Sequence, residues 1–278
     1  MAPDPLFLST AVEAVVRAGD MQMARFGRDV RVDKKGIIDL VTEVDLAVER
    51  MFRRLIAERF SDHEVLAEEM GGGASVPPGP CWVFDPIDGT TNYAHGLPIF
   101  CASLALELNG VAEVAAIFDP NRRELFTAER GGGAFLNGRP VQVSATSTLV
   151  DAMLVTGFPY DVHNRVGEIV GLFGEFVGVA RAVRRLGSAA IDLCYVAAGR
   201  MDGFWETSLK PWDIAAGALI VAEAGGNVTA LDGSPFRSRG GEVLATNGPI
   251  HQPMLDVIGR WRQSRATDSV ISPRDRRG

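Results

Sequence analysis

Lysine is scarce in this chain. Only Lys34, Lys35 and Lys210 occur among 278 residues and none follows a glycine, which excludes a Walker-type phosphate loop. Cysteine is scarce as well. Cys81, Cys101 and Cys194 stand far apart without Cys-x-x-Cys spacing, so a disulfide framework and a cysteine zinc site are excluded and the three read as core filler. The four histidines, His63, His95, His163 and His251, show no metal-ligand spacing. No apolar run reaches membrane-spanning length, and Met1-Ala2-Pro3-Asp4-Pro5 lacks the basic flank and apolar stretch of a secretory signal. The expectation is a cytoplasmic protein with no membrane partner. A formal net charge of −7 opposes non-specific nucleic-acid binding.

Apolar material is plentiful. At 46% hydrophobic and 23% charged residues, the chain can bury one large core or two closely joined ones. Asp4-Pro5 starts a long helix that Gly27 can stop, and Val30 to Ile38 reads as a β-turn-β excursion around Lys34-Lys35-Gly36. Thr42-Glu43-Val44-Asp45 opens a second helix to about Arg59. Glu64 to Ala67 reads as a strand ending in Glu68-Glu69, followed by a mobile Gly71-Gly72-Gly73 loop and a proline-rich link. From Cys101 to Val143 four β-like runs suggest an antiparallel meander. Beyond about residue 150, strands alternate with helices, two of the helices running from about Ser188 to Ala198 and from about Trp212 to Ala224. The expected organisation is an α+β part over 1–150, an α/β part over 151–264, and a frayed polar tail over 265–278. No internal repeat is visible.

The densest chemistry lies in Asp85-Pro86-Ile87-Asp88-Gly89-Thr90-Thr91-Asn92. The apolar run Cys81-Trp82-Val83-Phe84 reads as a buried strand delivering Asp85 at its carboxyl end, and Pro86 is expected to stop the ladder. Gly89 permits a tight backbone, and Thr90 reads as the cap of a short helical turn. Amides at a helix start favour an anion, whereas clustered carboxylates favour a hard cation. A phosphate ester bridged by magnesium satisfies both.

Glu68, Asp85, Asp88 and Asp213 all fall at strand ends or helix starts, where side chains can converge. Each carboxylate pair at about 4 Å would cost roughly 4 kcal/mol at an effective dielectric near 20, so such a cluster needs cations. Two magnesium ions would balance roughly four charges. Asp45, in Thr42-x-x-Asp45, fits a capping role or a role in chemistry, and Asp213 fits a helix-dipole role or a ligand role.

Taken together these residues resemble the inositol monophosphatase family of magnesium-dependent, lithium-sensitive phosphatases. The likeness covers nearly the whole chain. Its first signature resembles Trp82 to Tyr93, and its second resembles Trp212-Asp213-Ile214-Ala215-Ala216-Gly217. The resemblance implies a layered α-β-α-β-α sandwich of mixed α+β and α/β character, usually a homodimer, with two or three Mg2+ ions. It implies that Glu68, Asp85 and the backbone oxygen of Ile87 hold one metal, and that Asp85, Asp88 and Asp213 hold a second. Glu68 thereby serves catalysis too. Asp45 and Thr90 would orient the attacking water, while the amides of Gly89 and Thr90 would contact the phosphate. Gly187, Ser188 and Ala189 match the segment lining the inositol pocket, Glu206 matches a residue binding a substrate hydroxyl, and Lys34 matches a lysine near the metals. The implied reaction is hydrolysis of inositol 1-phosphate by in-line attack of a metal-activated water. Relatives act on histidinol phosphate, fructose 1,6-bisphosphate or 3′-phosphoadenosine 5′-phosphate, and some bacterial relatives serve RNA or transcription complexes.

Overall fold

The computed structural model describes residues 4–28, 30–36, 38–71 and 78–270. Residues Gly72 and Gly73 of the expected glycine loop and most of the proline-rich link lie outside the described residues. The chain opens with α1 (Pro5–Arg25), whose N-terminus is capped where Leu6 N donates to Asp4 Oδ1. A small hairpin, β1 (Val32–Lys34) with β2 (Leu40–Thr42), leads into α2 (Glu43–Arg59).

The larger sheet runs β3 (Glu64–Ala67), β4 (Pro80–Asp88), β5 (Cys101–Leu108), β6 (Val111–Asp119), β7 (Glu124–Glu129), β8 (Gly133–Leu136) and β9 (Arg139–Pro140), adjacent in that order. The first pair is parallel and the rest antiparallel, so the meander expected after Cys101 is present, with one more short strand. Between β4 and β5 lies α3 (Thr90–Ala94).

A second sheet has the order β11 (Ala182–Arg184), β10 (Met153–Thr156), β12 (Gly203–Thr207), β14 (Glu242–Thr246), β13 (Asn227–Thr229). Around it are α4 (Val166–Val177), α5 (Ala189–Ala197), α6 (Pro211–Glu223) and α7 (His251–Val270).

Side-chain alternation along the strands builds the layers. In β4, Trp82 and Phe84 join Val15, Val48 and Phe52 under α1 and α2, whereas Cys81 and Val83 join Leu193, Ile214 and Leu219 of α5 and α6. In the second sheet, Phe204 and Ala245 face the same α5–α6 layer. Trp205 and Leu244 face Leu172, Phe176, Met254 and Ile258 of α4 and α7. The result is the expected α-β-α-β-α sandwich, with α5 and α6 buried between two sheets. That position explains why α5 and α6 are apolar all round rather than along one stripe. The three cysteines are free and buried, as filler should be.

Three expectations need correction. β4 does not stop at Pro86 but continues to Asp88, because a register shift between Asp85 and Asp88 takes the proline out of the ladder's repeat. Thr90 is not a cap: Gly89, with φ 95°, holds that place, and Thr90 is the first helical residue. The tail does not fray from 265, since α7 continues to Val270; Met254, Val257 and Ile258 anchor its earlier turns, and residues 271–278 lie outside the described residues.

Candidate functional site

Strand geometry gathers the acidic residues. β3 and β4 run parallel with Ala67 beside Phe84, so the next residues along, Glu68 just after β3 and Asp85 within β4, come side by side. The β4 bulge then re-aims the chain so that Asp88 also points inward, toward α5. From the other side α6 brings Asp213 in its first turn, and β12 brings Glu206. A cavity of about 270 Å3 results, walled by Glu68, Asp88, Asp213 and Glu206, with Asp85 buried just beneath.

Each metal-ligand candidate spends one oxygen locally. Asp85 Oδ1 accepts from Ile87 N at 2.9 Å, and Asp213 Oδ2 accepts from Lys210 N at 2.7 Å. Asp88 Oδ2 accepts from Ser188 Oγ at 2.5 Å and Ala190 N at 2.7 Å, which ties the motif to the start of α5. Glu68 Oε1 accepts from Lys35 Nζ at 2.6 Å. No three carboxyl, imidazole or thiol groups among the described residues form a ready ligand set. The second oxygen of Asp85, of Asp213 and of Glu68 nonetheless makes no hydrogen bond among the described residues. The donors on offer are all hard oxygens with no sulfur or imidazole, which fits magnesium.

Burial and mutual repulsion set the electrostatics. Burial first, and then Glu68, Asp88 and Asp213, push the Asp85 carboxyl well above the usual range. Asp213 moves the same way through burial, Asp88 and Glu68. Glu68 is pushed up to about 7 by burial, although Lys35 pulls the other way. For Lys35 burial opposes the charge, yet Glu68 outweighs it and the ammonium is held more firmly than usual. This lysine, not Lys34, is the one at the site. Lys34 is exposed on β1, while Lys35 in the turn reaches back to Glu68 and, at 2.8 Å, to Glu69.

Asp45 serves two purposes at once. Its Oδ2 accepts from Thr42 N at 2.8 Å and Thr42 Oγ1 at 2.6 Å, closing a capping box on α2. Its Oδ1 faces Thr90 Oγ1 at 3.2 Å, a hydroxyl that also lies 2.8 Å from Ile87 O. Burial pushes the Asp45 carboxyl up to about 6. Gly89 makes this approach feasible. A Cβ there would stand 2.9 Å from Ile99 O and 3.2 Å from Gly187 O, and its φ is one that side chains avoid.

Gly187, Ser188 and Ala189 all line the cavity. They are held by Asn92, whose Nδ2 donates to Ile99 O at 2.8 Å and Leu186 O at 2.9 Å. Glu206, 8% exposed, is pushed up to about 8 by burial and then by Asp88. Its carboxyl packs on Gly157, where a Cβ would stand 2.1 Å from Oε2. Of the Lys34-Lys35 pair sequence reasoning chose the wrong member, and it missed the Asn92 brace and two further cavity residues, Arg185 and Asp192. A lone Asp inside the apolar run of α5 was the available signal for the last.

A layered α/β sandwich enclosing a carboxylate-walled cavity at its strand ends is the architecture of the inositol monophosphatase fold. The family pattern described as "Inositol monophosphatase family" matches residues 6–261, and the chain belongs to that family. It is 44% identical to an inositol-1-monophosphatase of a Synechocystis sp. over 267 residues, covering 94% of this chain and 92% of the relative. It is 40% identical to a Nus factor SuhB of Pseudomonas aeruginosa, covering 90% and 95%. The structure of an inositol monophosphatase from Anabaena (Nostoc) sp. superposes with a TM-score of 0.83 at 41% identity, covering 92% and 96%. A more distant structure, an IMPase/NADP phosphatase complexed with Mg2+ and phosphate, superposes with a TM-score of 0.76 at 25% identity, covering 87% and 91%. No helix among the described residues is long and apolar enough to cross a membrane.

The raised carboxyl groups fix the sign of one expected pH effect. In the folded chain Asp45, Glu68 and Glu206 stay protonated up to about 6, about 7 and about 8, respectively. In an unfolded chain they ionise near about 4. The folded state therefore binds more protons across that window, and its stability should fall as pH rises from about 4 to about 8. Thermal melts in chelator across this range test it, and a melting temperature that climbs with pH would contradict it. Magnesium should flatten the slope by favouring the ionised cluster.

Proposed function

We propose that this chain is a magnesium-dependent phosphomonoesterase that hydrolyses inositol 1-phosphate to myo-inositol and phosphate. The observation that carries the reading is one cavity walled by Glu68, Asp88, Asp213 and Glu206, with Thr90, bonded to Asp45, next in the chain to its lining residue Gly89. Glu68, Asp85, Asp88, Asp213 and the carbonyl of Ile87 would hold the ions. Magnesium bound there would offset the carboxylate charge, polarise the phosphate and make a water acidic.

The protein's own groups then do the rest. Asp45 Oδ1, with its partner oxygen fixed by Thr42, is positioned to accept a proton from a water held by Thr90 Oγ1. Amides of Gly89 and Thr90 at the start of α3 would contact the phosphate, and no side chain at Gly89 would block its approach. Ser188 keeps Asp88 turned inward, which joins the phosphate end of the site to the pocket for the leaving alcohol.

Glu206 reads a hydroxyl of that alcohol. Glu206→Ala should lower kcat/KM for inositol 1-phosphate by about ten- to hundredfold, the worth of a buried hydrogen bond whose loss leaves a polar group unpaired, and should cost a simple aryl phosphate far less. Equal losses on the two esters would reject the substrate-reading role. A screen of phosphate esters with the purified enzyme and magnesium tests the substrate directly. Release from histidinol phosphate, fructose 1,6-bisphosphate or 3′-phosphoadenosine 5′-phosphate in preference to inositol 1-phosphate would move the assignment within the family.

The relatives named Nus factor SuhB support a second reading, a role beside RNA in transcription complexes. The net charge of −7 weighs against it as the main function, and gel mobility with RNA at moderate salt separates the two.

A further inference from the structure

Helix α5 is apolar but for one residue. Asp192 sits between Ile191 and Leu193, 1% exposed, and neither of its carboxyl oxygens has a hydrogen-bond partner among the described residues. An unpartnered carboxyl destabilises a fold in such surroundings, whether it stays charged or takes up a proton. Its position gives it a use. Asp192 is part of the cavity wall, as are Glu206 and Arg185, the charged groups that with Asp88 act on its carboxyl. Arg185 forms no ion pair among the described residues and instead lies over the Phe158 ring, 5.6 Å from its centroid. Thr207, which follows Glu206 on β12, belongs to the cavity lining as well, but strand alternation turns its hydroxyl to the opposite face of the sheet.

We propose that Asp192 is a second specificity-determining residue, which together with Glu206 accepts hydrogen bonds from neighbouring hydroxyls of a polyol or sugar esterified to the phosphate. The inference rests on the phosphomonoesterase reading above and adds a residue to it. A hydroxyl both donates and accepts, so two adjacent hydroxyls can satisfy the carboxyl oxygens while accepting from Arg185. A plain aromatic leaving group offers none of these bonds and leaves the polar atoms orphaned. Sites built to bind a hydroxyl discriminate strongly for that reason.

The test compares wild type, Asp192→Ala and Asp192→Asn on three magnesium-supported substrates: inositol 1-phosphate, 4-nitrophenyl phosphate and 2-aminoethyl phosphate. Thermal melts accompany the kinetics. Asp192→Ala should lower kcat/KM for inositol 1-phosphate by about ten- to hundredfold, and by at least about tenfold more than for the aryl ester. Asp192→Asn keeps one acceptor oxygen and should lose less. Its melting temperature should match or exceed the wild-type value, because burial and then Glu206 and Asp88 oppose the charged form of this carboxyl and an amide carries no charge. A residue that merely supports α5 would behave otherwise, with a lower melting temperature in Asp192→Asn and equal losses on every ester. That outcome, or an undiminished preference for inositol 1-phosphate over the aryl ester in Asp192→Ala, overturns this inference alone. A dependence on Asp192 confined to the amine-bearing ester overturns the hydroxyl assignment. Failure of wild type to release phosphate from any ester overturns the proposed function and this inference with it.

Discussion

Asp85→Asn should reduce magnesium-stimulated phosphate release by about a thousandfold or more. Asp85 lies in β4 beside the end of β3 that leads to Glu68, and Glu68, Asp88 and Asp213 all act on its carboxyl, so in the proposed reading it would serve both ions. Asparagine fills the same volume and can still accept from Ile87 N, as Asp85 Oδ1 does. The local turn should therefore survive. Removing one charge from a self-repelling cluster should leave the melting temperature in chelator equal or higher, while the rise produced by magnesium should shrink. Near-normal activity in this variant would refute the site. A collapsed fold in chelator would show that Asp85 is structural.

The second large effect concerns Asp45 and Thr90. Asp45→Asn or Thr90→Ala should each cost about a hundred- to ten-thousandfold in kcat, the range of a positioned general base. Because the two side chains face each other at 3.2 Å and would hold one water, the double variant should be little worse than either single one. Capping complicates Asp45, since its Oδ2 also closes the box on α2. The amide of Asp45→Asn can still present an oxygen to Thr42 N, so a melting temperature close to wild type separates the two roles. Fully additive losses in the double-mutant cycle would break the pairing.

Several features of this site were legible because they are local. An apolar β-run that ends in Asp85, with Asp88 three residues on, announces a strand delivering acids to its end, and β4 does so. Thr42-x-x-Asp45 announces a helix start, and α2 begins there. The parts that were hidden depend on direction or on distant pairing. Lys34 and Lys35 differ by one residue in a turn, and only the path of the hairpin decides that Lys35 turns toward Glu68. Pro86 reads as a ladder stop, yet the bulge that accommodates it requires β5 alongside. The antiparallel match of β12 with β14 links residues nearly forty positions apart, which no local pattern encodes. The last turns of α7 are polar and read as tail, though the apolar residues earlier in the helix anchor it. Asp192 is visible as a lone acid in an apolar helix, but its neighbours Glu206 and Arg185 arrive from other elements.

The central claim is that Glu68 after β3, Asp85 and Asp88 of β4, and Asp213 of α6 make one magnesium-supported phosphatase centre. Phosphate release from inositol 1-phosphate by the purified protein, titrated with magnesium from a chelated start, tests it most directly. The expected result is no release in chelator, a saturable rise with magnesium, suppression by lithium, and no such rise in Asp85→Asn. Release that is independent of magnesium, or no release from any phosphate ester at any magnesium concentration, would contradict the account.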